Sequence, residues 1–205
     1  MKKVLKITSS VYTECMHGMP SERPVRVAVP VNLRPYFNSI TTKNFFVMVS
    51  AEFHPTKEIY TFEEVLKSVS ESLRSQISRE NLEKLFSYNV SNEKLLAARI
   101  VPLFLKNLAM RYVYTTSALA NTATVTNIGN ISVSEEYRPY VEMFHAFLAM
   151  SKGQHLKGTI CSYGDTLVFS FSYDLTDTSV QRGFFRKIAA DGIAVEIETN
   201  GVNYE

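Results

Sequence analysis

The residues best suited to chemistry lie at the end of a strand predicted over residues 123–128, ATVTNI, and stopped by Gly129. Thr126 and Asn127 place a hydroxyl and an amide there. Such groups can donate hydrogen bonds to the oxyanion that forms when an acyl carbonyl is attacked. Asn and Gly also serve turns for local backbone reasons, so a simple turn is the alternative interpretation.

Two further polar residues, Arg34 and Asn44, stand at the ends of strands predicted over about 25–33 and 44–53. Alternating valines in the first strand indicate burial of one face. Pro30 cannot donate to a ladder, so an edge, a bulge or an end is expected there. Arg34 and Asn44 could bind an anion or position a substrate. The alternative is structural, with the arginine paired to a nearby carboxylate.

Several familiar catalytic patterns are missing from the sequence. No G-x-S-x-G elbow, phosphate loop or dinucleotide fingerprint occurs. Asp174 and Asp177 resemble paired acids, but Asp177 before a helix is mainly capping chemistry. Cys161 in an apolar strand is expected to be inert packing. The four histidines are mutually remote, so no metal site is predicted: His17, His54, His145 and His155.

Helical patterns dominate the middle of the chain. Thr61 and Glu64 form a capping box, and an apolar stripe continues to about residue 88 with a bend near Ser78. Ser91 is predicted to cap a further helix that kinks or restarts at Pro102. Because apolar residues then occupy most sides of that helix, we expect it to be buried. They are Leu103, Phe104, Leu108, Met110 and Tyr112.

The remainder is mainly β. Gly164-Asp165 is a favoured two-residue turn, and it joins strands at about 159–163 and 166–173. Residues 140–149 fit a strand or a helix, and that choice stays open. Three shorter elements are predicted: a helix at 8–17 ended by Gly18, a helix opened by Ser179, and a final strand at 193–198.

This order predicts an α/β fold with a mixed β-sheet and helices packed on one face. The covering helices are expected at 61–88 and 91–115. The predicted domain division is a terminal helix stub and link at 1–24, followed by a single subdomain at 25–205.

Composition limits the partners and the compartment. The 205 residues carry 22 basic and 20 acidic side chains, so no nucleic-acid partner is expected. No apolar run reaches the length of about 18 residues that a membrane span needs. Cys15 and Cys161 are far apart in sequence, and two unpaired buried thiols in a reducing cytosol are favoured over a disulfide. We expect a cytoplasmic protein.

In their order, these pieces resemble the carboxyl-terminal half of the chloramphenicol-acetyltransferase-like superfamily of CoA-dependent acyltransferases. That superfamily includes condensation domains and alcohol acetyltransferases, and the alcohol acetyltransferase-like branch is nearest. No single motif is specific, but their order is, over about residues 5–199. The matching segments are Val29–Arg34 with Thr42–Phe46, Thr124–Gly129, the hairpin Ser162–Asp165, and Asp174–Phe185.

The resemblance implies half of a two-subdomain fold with a substrate tunnel between the halves. It implies that Thr126 and Asn127 stabilise the oxyanion, and that Arg34 and Asn44 lie at the subdomain interface. Catalysis in the family rests on a His-His-x-x-x-Asp-Gly motif in the amino-terminal half, whose second histidine is the general base. This sequence has no adjacent histidines. The implied protein is a truncated or split acyltransferase domain, inactive alone.

Two hypotheses for function follow. In the first, the chain is a partial acyltransferase domain that uses acyl-CoA as co-substrate, without a permanently bound cofactor, and a small alcohol or amine as acceptor. Whether it is an enzyme stays open, because the base is missing. In the second, it is a non-catalytic binding or assembly module that homodimerises or pairs with a separate amino-terminal half. Association is expected in both, because a half-fold exposes apolar surface that monomers rarely tolerate.

Overall fold

A computed structural model describes residues 2–56, 60–94 and 101–200. Its elements in chain order are α1 (Lys2–Ser10) with a π-helical turn (Val11–Cys15), β1 (Val25–Asn32), α2 (Arg34–Phe37), β2 (Phe46–Phe53), α3 (Phe62–Gln76), α4 (Arg79–Lys94), α5 (Leu103–Leu119), β3 (Ala123–Asn130), a 3₁₀ turn (Arg138–Tyr140), β4 (Leu156–Tyr163), β5 (Thr166–Tyr173) and α6 (Ser179–Ala190).

The five strands form one mixed sheet in the order β2-β1-β3-β4-β5. The two outer pairs, β1 with β2 and β4 with β5, are antiparallel, as expected for strands joined by short connections. The central strands β1, β3 and β4 run parallel. The predicted fold class, α/β with a mixed sheet, is confirmed at this level.

One face of the sheet carries the core. Alternate residues of β1, β2 and β3 are buried there, such as Val27, Val49 and Val125, which is the period-2 pattern of a strand with one covered face. Helices α1, α3 and α6 cover this face, and the first turns of α4 add Leu82. The buried residues of α3 repeat every four positions, as an amphipathic helix requires: Val65, Val69 and Leu73.

Local signals in the sequence specified several of these elements correctly. The predicted capping box is present at the N-terminus of α3. The Thr61 N–H donates to Glu64 Oε2 at 2.8 Å, and the Glu64 N–H donates to Thr61 Oγ1 at 3.3 Å. The bend falls at Ile77 and Ser78, and the Ser78 hydroxyl accepts the Asn81 N–H in the first turn of α4. The two-residue turn at Gly164-Asp165 joins β4 to β5.

Other predictions were wrong in position. The first helix begins at Lys2 and ends at Cys15, and it packs into the core through Ile7, Val11 and Tyr12. No helix begins at Ser91, because α4 runs through that residue to Lys94. The apolar positions predicted beyond Ser91, namely Leu95, Leu96 and Ile100, lie outside the described residues.

The predicted burial of the helix after Pro102 was also wrong. Helix α5 begins at Leu103, as the proline indicated, but over 103–114 its large apolar side chains are exposed on all sides; Phe104 keeps 70% of its surface. It therefore does not cover the sheet, although 91–115 was predicted to do so. A helix that is apolar all round normally lies inside a protein.

The β pattern was over-predicted near the end of the chain. Residues 193–198 pair with no strand among the described residues and form no regular element. Residues 140–149, for which strand and helix were both open, form an irregular crossing segment after the 3₁₀ turn. This segment lies over β4, where the Cys161 thiol donates to the Phe144 carbonyl at 3.1 Å.

A pair of phenylalanine substitutions tests this division between packed and unpacked helices. Phe184 in α6 is fully buried, with its ring centroid 4.4 Å from that of Phe169. Phe184→Ala should lower the free energy of unfolding by about 3–5 kcal/mol. Phe104→Ala, in exposed α5, should change it by less than about 0.5 kcal/mol. Urea denaturation measures both, and equal losses would show that α5 is packed in the isolated chain.

Candidate functional site

The pairing between β1 and β3 stops halfway along the strands. Only Val27 with Ala123 and Ala28 with Thr124 are paired. Even-numbered residues of β1 direct their backbone groups to β3: the Arg26 carbonyl accepts the Thr122 N–H at 2.8 Å. Pro30 is the next even position after Ala28, and it has no N–H to donate. The two strands are therefore unpaired beyond that point.

This opening lies at the carboxyl ends of two neighbouring parallel strands. The chain leaves β1 towards β2 on one side, and it leaves β3 towards β4 on the other. Connections that depart in opposite directions from adjacent parallel strands leave a crevice between them, and ligands of open α/β sheets commonly bind there. The crevice is flanked by Asn32 at the end of β1, by Arg34 just after it, and by Thr126 and Asn127 in β3.

Thr126 and Asn127 lie next to an irregularity of β3. The register with β4 shifts between Asn127 and Gly129, which is a β-bulge. The Asn127 Oδ1 accepts the Gly129 N–H at 3.1 Å, so the amide NH₂ is the end that remains available. Asn127 is exposed and Thr126 half-buried. Among the described residues, neither the Asn127 NH₂ nor the Thr126 hydroxyl has a hydrogen-bond partner.

A shallow cavity of about 450 Å³ follows the end of β3. Asn130, Arg138 and Tyr163 contribute its polar groups, and Val141 contributes part of the apolar wall. The cavity borders the turn that joins β4 to β5. Its lining starts at Asn130 and includes one cationic group, that of Arg138, but neither Thr126 nor Asn127. No sequence pattern predicted this cavity, because Arg138 belongs to a short 3₁₀ turn without a recognisable motif.

Arg34 braces the loop between α2 and β2. Its Nε donates to the Thr41 carbonyl at 2.8 Å and one Nη donates to the Lys43 carbonyl at 2.6 Å. Its other Nη and its backbone N–H both donate to Asn32 Oδ1. The expected carboxylate partner is replaced by carbonyls. Asn44 is exposed on the same loop, and its side chain makes no hydrogen bond within the described residues.

The other titratable groups make local pairs. His155 Nδ1 lies 2.9 Å from Asp174 Oδ1, at the open end of the β4–β5 hairpin. Asp177 lies just before α6, and hydrogen bonds from the Ser179 N–H and hydroxyl lower the pKa of its carboxyl. Within the described ranges, no three His, Cys, Asp or Glu side chains converge as metal ligands would.

A buried lysine was missed by the sequence patterns. Lys157 in β4 is almost fully buried, and its ammonium donates to the Ala149 carbonyl at 2.6 Å and the Ser151 hydroxyl at 2.8 Å. These bonds attach the crossing segment to the sheet. The only available signal was a lysine between Leu156 and Gly158 in an otherwise uncharged strand.

The two cysteines are unpaired, as predicted, but only Cys161 is buried. Cys15 is exposed at the end of the π-helical turn. Partial burial of its thiol, followed by the negative charges of Asp177 and Glu14, raises the pKa of Cys15. A raised pKa disfavours the thiolate, so Cys15 is a poor nucleophile.

Comparisons with protein-family models, with curated proteins and with solved structures found no match to this chain. The family resemblance therefore rests on the residues quoted for it. In the part of the chain that the structure describes, no helix has both the length and the apolar character needed to cross a membrane.

The bracing role of Arg34 can be measured by hydrogen exchange. Arg34→Lys keeps the charge but loses the planar fork that bonds two carbonyls. Losing charge-assisted bonds worth about 1.5–3 kcal/mol should speed exchange of the amides at 39–45 by roughly ten- to a hundredfold. Asn44→Ala, on the same loop, is the control and should leave exchange unchanged. An unaltered Arg34→Lys profile would mean that the loop does not depend on the arginine.

The ionisation of Cys15 gives a prediction with a definite sign. The alkylation rate of Cys15 by iodoacetamide, followed by mass spectrometry of its peptide, should rise with pH later than that of free cysteine, because the raised pKa delays thiolate formation. Glu14→Gln removes one negative charge and should shift the midpoint to lower pH. Glu80→Gln in α4 is the control. A midpoint at or below that of free cysteine would contradict the electrostatic argument.

Proposed function

We propose that this chain forms the acceptor side of a CoA-dependent acyltransferase-like site, as half of a two-subdomain fold that needs a complementary region for its general base. The observation that carries the proposal is the pair of available donors, Thr126 and Asn127, beside the crevice at the carboxyl ends of β1 and β3. The mixed sheet with helices on one face agrees with this type of fold.

The proposed reaction assigns a defined role to these donors. An acceptor alcohol or amine attacks the thioester carbonyl carbon of acyl-CoA while the base removes the acceptor's proton. The carbonyl oxygen becomes an oxyanion, to which the Asn127 NH₂ donates a hydrogen bond. Thr126 and Asn127 are consecutive in the regularly paired part of β3, so their side chains point to opposite faces and Thr126 remains the donor on the other face. Collapse of this intermediate re-forms the carbonyl and expels the CoA thiolate. The bond between Asn127 Oδ1 and the Gly129 N–H holds the amide in the donating orientation.

The missing base determines what the chain can do alone. General base catalysis contributes about 10²–10⁴-fold to such a reaction. Without it, the isolated chain would bind substrates but transfer acyl groups at a negligible rate. In this proposal Arg34 and Asn44 act at the interface with the complementary region, where Arg34 keeps its loop rigid and Asn44 remains exposed for contact.

A second candidate function is a non-catalytic assembly module, and helix α5 favours it. Over 103–114 its large apolar side chains are exposed on every face, including Leu103, Leu108 and Tyr112. Single exposed apolar residues are ordinary, but a continuous apolar surface marks a contact site. Under this hypothesis the crevice is unused, and association through such surfaces is the function itself.

Acyl transfer to simple alcohols can be followed as CoA thiol release from acetyl-CoA. The chain alone should show no release above background. Combined with a polypeptide that carries the His-His-x-x-x-Asp-Gly motif, for which the coding sequence directly upstream is the first place to look, it should release thiol. Asn127→Ala should then lower the rate by about 10²–10³-fold, the usual cost of losing one oxyanion donor.

Asn130→Ala is the matched control, because Asn130 lies in the same strand beyond the bulge and should affect the rate less. Stable pairing without thiol release would favour the assembly module. If the chain neither binds acetyl-CoA in a calorimeter nor releases thiol with any base-bearing partner, the acyltransferase proposal is wrong.

A further inference from the structure

The two edges of the sheet differ, and in the part of the chain that the structure describes the outer edge of β5 bonds to no other segment. A two-residue turn makes Tyr163 and Thr166 a hydrogen-bonded pair. Every second residue from Leu167 therefore directs its backbone N–H and C=O away from β4. These residues are Leu167, Phe169, Phe171 and Tyr173. Among the described residues, no backbone hydrogen bond joins this outer edge to another segment.

The opposite edge, β2, is interrupted in its second half by side chains of α3. The Gln76 Oε1 accepts the Ser50 N–H at 3.1 Å, and the Gln76 Nε2 donates to the Ser50 carbonyl at 2.7 Å. The Ser72 hydroxyl accepts the Glu52 N–H at 3.2 Å. These bonds occupy both backbone groups of Ser50 and the N–H of Glu52, so a strand could not be added along the whole of β2. Proteins commonly protect edge strands in this way against unwanted pairing.

The sequence of β5 has none of the features that blunt an edge. Residues 166–173, TLVFSFSY, contain no charge and no proline over eight positions. The strand is also amphipathic: Phe169 and Phe171 pack against Phe184 on the helix-covered face, and Ser170 and Ser172 lie on the other. Its ends are accessible, since Leu167 is 54% exposed.

We propose that the β5 edge binds the β5 edge of a second copy of this chain, in antiparallel pairing, to form a twofold dimer with a continuous ten-stranded sheet. The occupant is a second copy because antiparallel self-pairing brings no charges together and keeps aromatic residues beside aromatic residues on one face. Because bonds at Ser50 and Glu52 interrupt the β2 edge, the uninterrupted edge is that of β5, and its pairing with itself is an isologous contact that stops at two copies. This inference does not depend on acyl transfer.

A matched pair of lysine substitutions tests which edge associates. Leu167 in β5 and Met48 in β2 are both exposed apolar residues of edge strands. The full chain should sediment at twice the chain mass in analytical ultracentrifugation. Leu167→Lys should raise the dimer dissociation constant by about tenfold or more, because a lysine on an edge strand opposes strand addition. Met48→Lys should leave it unchanged. Circular dichroism checks that both variants are folded.

Hydrogen exchange of the unmodified chain gives a second test that does not rely on a variant folding. Dilution below the dissociation constant should speed exchange of the amides of Leu167, Phe169 and Phe171, and should not affect Ser50 or Glu52. A monomer at every attainable concentration would overturn the proposal. So would assemblies larger than two copies, or a dimer that Met48→Lys dissociates and Leu167→Lys does not.

Discussion

Pro30 lies in β1, an interior strand, and has no N–H with which to bond the neighbouring strand β3. The antiparallel ladder to β2 is unaffected, because odd-numbered residues make those bonds and Pro30 only faces Met48. The parallel ladder to β3 ends at Ala28 and Thr124. One absent donor in the middle of the sheet thus separates the ends of two parallel strands. The crevice and the exposure of Asn127 both follow from it.

Local chemistry explains which elements were predictable from the sequence. Period-2 valines, a capping box and a Gly-Asp turn act within a few residues, so β1, the start of α3 and the β4–β5 hairpin were predicted correctly. Residues 193–198 have the same strand-like pattern but no neighbouring strand to pair with, and pairing is a non-local property. Helix α5 shows the same limit of sequence-based prediction. Its apolar composition indicates that its surface should be buried, but it does not indicate which part of this or another chain would bury it.

The candidate site was predictable by residue type but not by geometry. The sequence left two interpretations of Asn127 open, a local turn and a hydrogen-bond donor to substrate, and these prove compatible. The Oδ1 makes the local bond to Gly129 that a turn would use, and this bond leaves the NH₂ free to donate. The bulge that permits it depends on the register with β4, which the sequence does not reveal. At Arg34 the expected ion pair was replaced by carbonyl acceptors, because the loop after α2 folds back over the guanidinium.

The β1–β3 crevice and the β5 edge lie apart in the sheet, so the proposed acyltransferase-like site and the proposed dimer are compatible. Two strand spacings of about 4.8 Å separate β3 from β5 in the sheet, so a second copy on the β5 edge would leave the β1–β3 crevice uncovered. A complementary region at that crevice would meet the loop braced by Arg34 on one side and Asn127 on the other. Gln76 and Ser72 occupy backbone groups of β2 at Ser50 and Glu52, so strand addition on that edge would stop short of these residues. Among the strands that the structure describes, β5 is therefore the one that offers an edge along its whole length.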